Sequence, residues 1–461
     1  MKALTLEEAV GAMQGKAGDP LPRLSITGVT TDSRTARPGQ LFIALAGQRF
    51  DGHDFVKEAF ERGATAAVVS RREVFMADFP RPVIWVPDTM VALGELAAYY
   101  RDQIAATVIA VTGSNGKTTV RGMIHQVLSG KYRGQQAPKS YNNQVGVPLT
   151  LLSAEGGDEF LVVELGSNHP GEIEALAKLA RPDIGVVVSI GPAHLEGLED
   201  LAGVIREKTS LFRRVRPGGL AVVNADGLDP SADLPEGLDL NVVSFGESAG
   251  ADVRLTAFTQ KEAGIAFQYN GRFQVDMPVL GKHNAVNALA AVVVARRLSV
   301  SDAEIAERLS SFAPPEMRLQ RVPLGEAEVI FDAYNANPDS VAAALAVLEA
   351  LPTEGRRVLV LGDMGELGPQ SESLHRAVGK RVAAGKVDML VTVGERSRVV
   401  AEECTARTAC RHYPDARAAA KARKTWLRPG DLAMIKGSRV MKLERILEAL
   451  NRGAEGAVTT R

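Results

Sequence analysis

A chain of 461 residues is too long for one core, and at ~150 residues per domain it should divide into about three. A formal net charge of -1 without any Lys/Arg block excludes a polyanion-binding surface, so no nucleic-acid partner is expected. Two cysteines, Cys404 and Cys410, exclude a disulfide framework and a Cys-rich zinc site and point to a reducing, cytoplasmic compartment.

The N-terminal MKALTLEEAVGAMQG carries glutamates where a signal peptide would carry lysines. The strongest apolar run, ALAAVVVA, stops at Arg296 and Arg297, far short of the ~20 residues that span a bilayer, and no membrane insertion is expected. Along the rest of the chain, short apolar runs ending at Gly or Asp alternate with amphipathic stretches, the pattern of βα units around largely parallel sheets. GQLFIALAG, TAAVVS and PVIWVPD form a first group that carries a domain of about residues 1–85, and the helix VALGELAAYYRDQ leads onward. TVIAVTGS, FLVVELGS, IGVVVSIG, GGLAVVNAD and NVVSFG, then a helix from about Asn284 to Arg297, form a second group within 86–313. Pro314-Pro315 cannot continue a helix and marks the next boundary. EVIFDAYNANP, RRVLVLGDMGELG, DMLVTVGE and DLAMIKGS make the third group, within 314–461.

In open α/β sheets ligands sit at the carboxyl ends of the strands, where the polar residues of the second and third groups fall. TVIAVTGSNGKTT has Val111 where the strict phosphate-loop pattern has its first glycine. What stands is the shorter Thr112-Gly113-Ser114-Asn115-Gly116-Lys117-Thr118-Thr119. Its glycines let backbone N–H groups converge on phosphate, a helix N-terminus adds its dipole, and Lys117 adds a full charge. Thr118 has the hydroxyl position that binds Mg²⁺. Glu164 closes a second strand and His194 follows a third, an oxygen and a nitrogen donor suited to a divalent cation, although Glu164 alone reads equally as a structural residue and a lone His is more often one. Lys208, in GVIREKTSLF, reads by itself as a surface charge on a helix.

TGSNGKTT, VVELGSNHPGEI, IGPAHLEGL with EKTSLF, GKHNAVNALAA and FDAYNANPDS occur in this order, and together they resemble the Mur ligases, ATP-dependent amide-forming enzymes of peptidoglycan precursor synthesis. The N-terminal VTTDSRTARPGQLFIALAGQRFDGHDF resembles that family's UDP-sugar-binding segment. The resemblance covers essentially the whole chain. It implies an α/β protein of three domains: an N-terminal mixed α/β substrate domain, a central parallel-sheet ATPase domain with a phosphate loop, and a C-terminal Rossmann-like domain. ELGSNHPGEI, DAYNANPDS and LGDMGELG imply UDP-N-acetylmuramoyl-tripeptide and D-alanyl-D-alanine as partners, with ATP and Mg²⁺ as cofactors; a three-domain hinge protein is comfortable as a monomer. A ligase of the same scaffold acting on another acceptor, folylpolyglutamate synthase included, is the rival reading. A nucleotide-binding regulator that has lost turnover is a second rival.

By the same resemblance Lys208 aligns with a lysine carried as a carbamate, which would ligate Mg²⁺ beside Thr118, Glu164 and His194. Lys117, Lys208, His194 and Glu164 become the catalytic set. Asn284 and Asn287 lie near adenine, and Arg318 and Asp332 approach the γ-phosphate and the ribose. Asn142, Asn143 and Asn168 face the sugar-peptide, although Asn142 and Asn143 equally suit a turn before a helix. Ser33, Arg34, Asp51 and His53 would grip the uridine diphosphate, and otherwise satisfy their own loops. Lys436 has no firm role and reads equally as a solvated strand end.

Overall fold

The computed structural model describes residues 1–18, 20–324, 327–404 and 407–458. Thr107–Thr112 is an almost unbroken β-branched run, buried from Val108 onward, and a strand of that kind must be covered on both faces. It lies inside a nine-stranded sheet, between Ile184–Val187 on one side and Phe160–Glu164 on the other. Gly134–Gln136 extends the sheet beyond Phe160–Glu164. On the other side follow Gly219–Asn224, Leu240–Gly246, Val253–Lys261, Gly264–Tyr269 and Phe273–Met277. All pairings are parallel as far as Val253–Lys261, and the last two strands join antiparallel. Helices Lys117–Leu128 and Lys282–Arg297 cover one face through Val120, Ile124, Leu289 and Val293. Helices Thr89–Arg101, Gly146–Ser153 and Glu172–Ala180 cover the other.

That second core continues into a four-stranded parallel sheet of Gly28–Thr30, Gln40–Ile43, Ala66–Val69 and Val83–Trp85, through Leu41, Val68 and Ile84. The third sheet has six strands in the order Gln320–Leu324, Ala327–Asp332, Leu432–Lys436, Arg357–Gly362, Met389–Val393 and Ala409–Tyr413, parallel except for the first pair. The runs read from the sequence as strands are present, and the predicted helix spans Lys282–Arg297. Among the described residues nine strands have no counterpart in that reading: Leu4–Thr5, Ser25–Ile26, Gly28–Thr30, Gly134–Gln136, Val253–Lys261, Gly264–Tyr269, Phe273–Met277, Gln320–Leu324 and Ala409–Tyr413. Most of them alternate buried and exposed positions or are largely exposed, so none but Gly264–Tyr269 offers the continuous apolar run of a buried strand.

Asp88 caps helix Thr89–Arg101 by accepting from the N–H groups of Met90 and Val91. The far end of the helix is bolted to the central unit. Tyr100 Oη donates to the Ala154 carbonyl at 2.6 Å, and Arg101, 1% exposed, donates to the Ala180 carbonyl at 2.9 Å and to Asp183 Oδ2 at 2.9 Å. Arg101→Met removes a buried cation from a partner that keeps Arg216 and some solvent. It should therefore cost ~3 kcal/mol, near the lower end for a broken buried pair. An unchanged urea midpoint would contradict this role for Arg101.

Candidate active site

The strand order places three chain exits side by side: the phosphate loop after Thr112, the segment after Glu164, and the segment leading to His194. The register sets Val111 opposite Glu164 and Thr112 opposite Val187. Gly113 and Gly116 have φ of 148° and 82°, and neither position has room for a side chain. A Cβ at Gly113 would meet Ser189 N at 2.9 Å, and one at Gly116 would meet Asn287 Oδ1 at 2.7 Å. Ser114 Oγ donates to the Gly191 carbonyl at 2.9 Å and accepts from Gly191 N–H at 3.0 Å. Thr112 Oγ1 donates to the Leu165 carbonyl at 2.8 Å. The loop is thus tied to both neighbouring exits, and the missing first glycine costs it no anchoring.

Lys117 begins helix Lys117–Leu128 and donates from Nζ to the Gly113 carbonyl at 2.6 Å. Burial and the nearby Arg318 push its ammonium below the ordinary range, while Glu164 opposes the shift. Thr118 and Thr119 are both 7% exposed and line the same cleft, which has a volume of about 880 Å³. Glu164, 1% exposed, accepts from Arg121 Nη1 at 3.2 Å and from Asn142 Nδ2 at 2.9 Å. Arg121 escaped the sequence reading. Its signal was its place one helical turn beyond Lys117, on the same face.

His194 sits in left-handed backbone at φ 56°, an unfavourable conformation for a side-chain-bearing residue that is retained where a site demands it. Its buried Nδ1 lies 2.5 Å from Glu366 Oε2, a charged contact across the cleft whose angle is poor for a hydrogen bond. Lys208, expected on a helix, occupies Leu201–Thr209, but it is fully buried rather than on the surface. Its Nζ donates to Ser167 Oγ at 2.7 Å, and burial, reinforced by Lys117, lowers its pKa to about 7. A neutral amine in quantity at neutral pH is a nucleophile, which a surface lysine would not be.

Among the described residues no group of three or more His, Cys, Asp or Glu side chains could hold a cation alone. The Thr118 hydroxyl, the Glu164 carboxylate and the His194 imidazole, all lining this cleft, nevertheless fit Mg²⁺, which takes few protein ligands and completes its shell with phosphate and water.

Asn284 and Asn287 line the cleft from helix Lys282–Arg297. Asn287 Nδ2 donates to Asn284 Oδ1 at 3.1 Å, and Asn284 Nδ2 donates to the Leu280 carbonyl at 2.8 Å. Arg318 and Asp332 enter from the third sheet. The Arg318 guanidinium stacks 4.4 Å above the Tyr334 ring. Lys436, 2% exposed, is no solvated strand end: the register sets it opposite Asp332, and Nζ donates to Asp332 Oδ2 at 2.6 Å. Beside them burial pushes His283 down to about 4, so its imidazole is neutral at physiological pH.

Asn142, Asn143 and Asn168 also line the cleft. Asn142 supports Glu164, while Asn143 Oδ1 accepts from the N–H groups of Val145 and Gly146 and so starts the following helix. Asn168 is held through its N–H by Glu172 at 2.7 Å, leaving its amide free.

Ser33, Arg34, Asp51 and His53 do not line this cleft; they sit at the short turns Ser33–Thr35 and Gly52–Phe55, between strands of the first sheet. Ser33 Oγ donates to Glu58, and Arg34 is exposed and paired with Asp32. His53, with its side chain 1% exposed, corrects the expectation of substrate contact. Its Nε2 accepts from Ser70 N–H at 2.8 Å, so its proton is on Nδ1 and goes to Asp51 Oδ1 at 2.6 Å. Ser70 Oγ is 3.2 Å from the same Nε2. The order Ser-His-Asp resembles a nucleophilic triad, but a nitrogen already accepting a backbone N–H cannot act as its base.

Three family models match the chain: the Mur ligase family catalytic domain over 25–101, the Mur ligase middle domain over 111–295, and the Mur ligase glutamate ligase domain over 317–439. UDP-N-acetylmuramoyl-tripeptide--D-alanyl-D-alanine ligase of Bacillus subtilis is 35% identical, over 97% of this chain and 98% of that one. The enzyme of the same name from Escherichia coli is also 35% identical, over 98% and 99%. Among solved structures, MurF from Acinetobacter baumannii superposes with a TM-score of 0.89 at 33% identity, over 98% of this chain and 99% of that one. MurF ligase from Thermotoga maritima in complex with ADP gives 0.82 at 27% identity, over 93% and 98%. By its sheets, its phosphate loop and these full-length likenesses, the chain belongs to the Mur ligase family.

Proposed function

We propose that this chain is the ATP-dependent ligase joining D-alanyl-D-alanine to UDP-N-acetylmuramoyl-tripeptide through an acyl phosphate, a step of peptidoglycan synthesis and cell-wall biogenesis. The observation that carries the reading is the convergence of Lys117, Glu164 and His194 at one mouth of the central sheet, with Lys208 buried beneath it. The substrates follow from the full-length relatives of that name, and nucleotide use from the family and from its ADP-bound member. The protein works in the cytoplasm as a monomer, with domains divided near 85/86 and 313/314.

A carboxylate is a poor electrophile, and an amine at neutral pH is largely protonated. The tripeptide carboxylate oxygen attacks the γ-phosphorus of ATP and ADP departs, leaving an acyl phosphate. The dipeptide amine then attacks the acyl carbon, loses its proton, and phosphate leaves with one former carboxylate oxygen. Two anions meet in the first step, so neutralisation by fixed cations dominates catalysis. Lys117, the N–H groups of Gly113 and Gly116 and the first turn of helix Lys117–Leu128 hold the phosphates; the Ser114 and Asn115 N–H groups are bonded to Ser189, and these two residues shape the turn with Thr112 and Thr119. Arg318 adds charge from the third domain, Asn284 and Asn287 bind adenine, and Asp332, oriented by Lys436, binds ribose. Thr118, Glu164, His194 and Lys208 as its carbamate would hold Mg²⁺, which neutralises phosphate charge when bound. Ser33, Arg34 and Asp51 face the uridine diphosphate with His53 bracing their loop, and Asn142, Asn143 and Asn168 face the sugar-peptide. A closed cleft keeps water from the acyl phosphate.

Phosphate release from ATP should require both UDP-N-acetylmuramoyl-tripeptide and D-alanyl-D-alanine. Release that ignores the dipeptide would remove this function. Lys117→Ala should lower turnover about 10²–10³-fold with the melting curve unchanged, the scale of losing one charged group at a transition state. Wild-type turnover would take Lys117 out of the chemistry. The Lys208 amine should add CO₂ and lose a proton, so protein in ¹³C-bicarbonate should show a carbamate carbon resonance that Lys208→Met lacks. Turnover of Lys208→Ala should recover partly with short carboxylic acids. A wild-type spectrum without that resonance would reject the carbamate.

A further inference from the structure

Arg318 and Asp332 belong to the third domain but serve a nucleotide held by the second. The two are joined by one segment containing Pro314-Pro315, so something besides the linker must set their register. A misplacement of about 1 Å at such groups costs of order 10²-fold in rate. Several contacts cross the cleft, among them Tyr334 Oη donating to Ser140 Oγ at 2.5 Å and the approach of Glu366 to His194. One of them reaches the phosphate loop itself. Asn337 Nδ2 donates to Asn115 Oδ1 at 2.9 Å, and Asn115 Nδ2 donates back to Asn337 Oδ1 at 3.3 Å.

Both partners are fixed from behind. Asn337, 4% exposed, caps helix Pro338–Ala350, and its Oδ1 also accepts from Ser340 N–H at 2.9 Å. A backbone N–H can only donate, so this bond sets which end of the amide is oxygen and turns Nδ2 toward Asn115. Asn115 is clamped by Ser189 Oγ, which accepts from its N–H at 2.8 Å and donates to its carbonyl at 3.0 Å. The first turn of that capped helix packs close by as well. A Cβ at Gly191, which is bonded to Ser114 of the loop, would lie 1.9 Å from Asp339 Oδ2, so the start of helix Pro338–Ala350 rests directly on the loop's support. Asn337 is five residues beyond Asp332 and three beyond Tyr334, whose ring carries Arg318.

We propose that the Asn115–Asn337 amide pair is the positioning pair that registers the third domain on the phosphate loop, bringing Arg318 and Asp332 to the nucleotide. It deepens the ligase reading, and only its kinetic consequence rests on that reading. Neither amide touches the reacting atoms; the pair acts through the groups it places.

Asn337→Ser separates this role from helix capping. Serine caps as well as asparagine but cannot span the cleft with a reciprocal amide pair. The variant should melt with the wild type, whereas Asn337→Ala, which loses the cap as well, should melt lower. Two neutral hydrogen bonds are lost, so kcat should fall about tenfold, with KM for ATP changing less. Small-angle scattering of the ADP-saturated variant should give a larger radius of gyration than the ADP-saturated wild type. Asn115→Ala combined with Asn337→Ser should be no slower than the slower single variant, because the pair is lost once. Wild-type kcat and scattering in Asn337→Ser would overturn the proposal. So would multiplied losses in the double variant, which would assign Asn115 to the nucleotide alone. Wild-type protein inert toward both substrates would defeat the ligase reading instead, and the scattering comparison would still decide the pair.

Discussion

Helix Lys117–Leu128 starts where strand Thr107–Thr112 ends, and the turn between them is pressed against Ser189 and Asn287 so closely that only glycine fits at Gly113 and Gly116. That close approach depends on strand order. The phosphate-loop strand is flanked by the strands that deliver Glu164 and lead to His194. Each chain exit therefore supports the next: Ser114 is tied to Gly191, and Thr112 to Leu165. Backbone N–H groups, one helix terminus and the Lys117 charge are organised before any ligand arrives, so little reorganisation remains for the transition state.

The same mouth gathers features that are hard to justify by stability. Lys208 is fully buried without a carboxylate bonded to it, and His194 holds a left-handed backbone. A buried cation should be neutral, paired or absent, and here burial has moved its pKa to about 7. Local cost concentrated at one point of a well-packed sheet is where function is expected to override folding preference. Arg121 and Asn142 show the opposite tendency. They fix both oxygens of Glu164, so the carboxylate is oriented by the protein itself.

What the sequence disclosed follows from how each signal is encoded. The phosphate-loop strand and its turn are contiguous, with burial on both faces and glycines at the two tight positions, so they could be read directly. Helix Lys282–Arg297 was equally plain, because its apolar residues are dense and end at a charged pair. The strands from Val253 to Met277 were not: Val253–Lys261 and Phe273–Met277 alternate buried and exposed positions, and Gly264–Tyr269 is a short run whose identity comes from the partners it meets. Lys208 shows the limit most sharply: nothing in its helix marks it as buried, and only the packing of neighbouring elements does so. Lys436 misled for a similar reason, because its partner Asp332 lies on an adjacent strand 104 residues away in the chain. His53 erred the other way. Its DGHDF setting suggested a ligand, and the fold uses both of its nitrogens internally.

The account rests on charge at this mouth driving a carboxylate onto the γ-phosphorus. Tripeptide substrate labelled with ¹⁸O in its terminal carboxylate tests that step directly, by mass analysis of the phosphate released in a single turnover with ATP and D-alanyl-D-alanine. One ¹⁸O atom per released phosphate is the predicted result. Phosphate free of ¹⁸O alongside normal amide product would contradict the account.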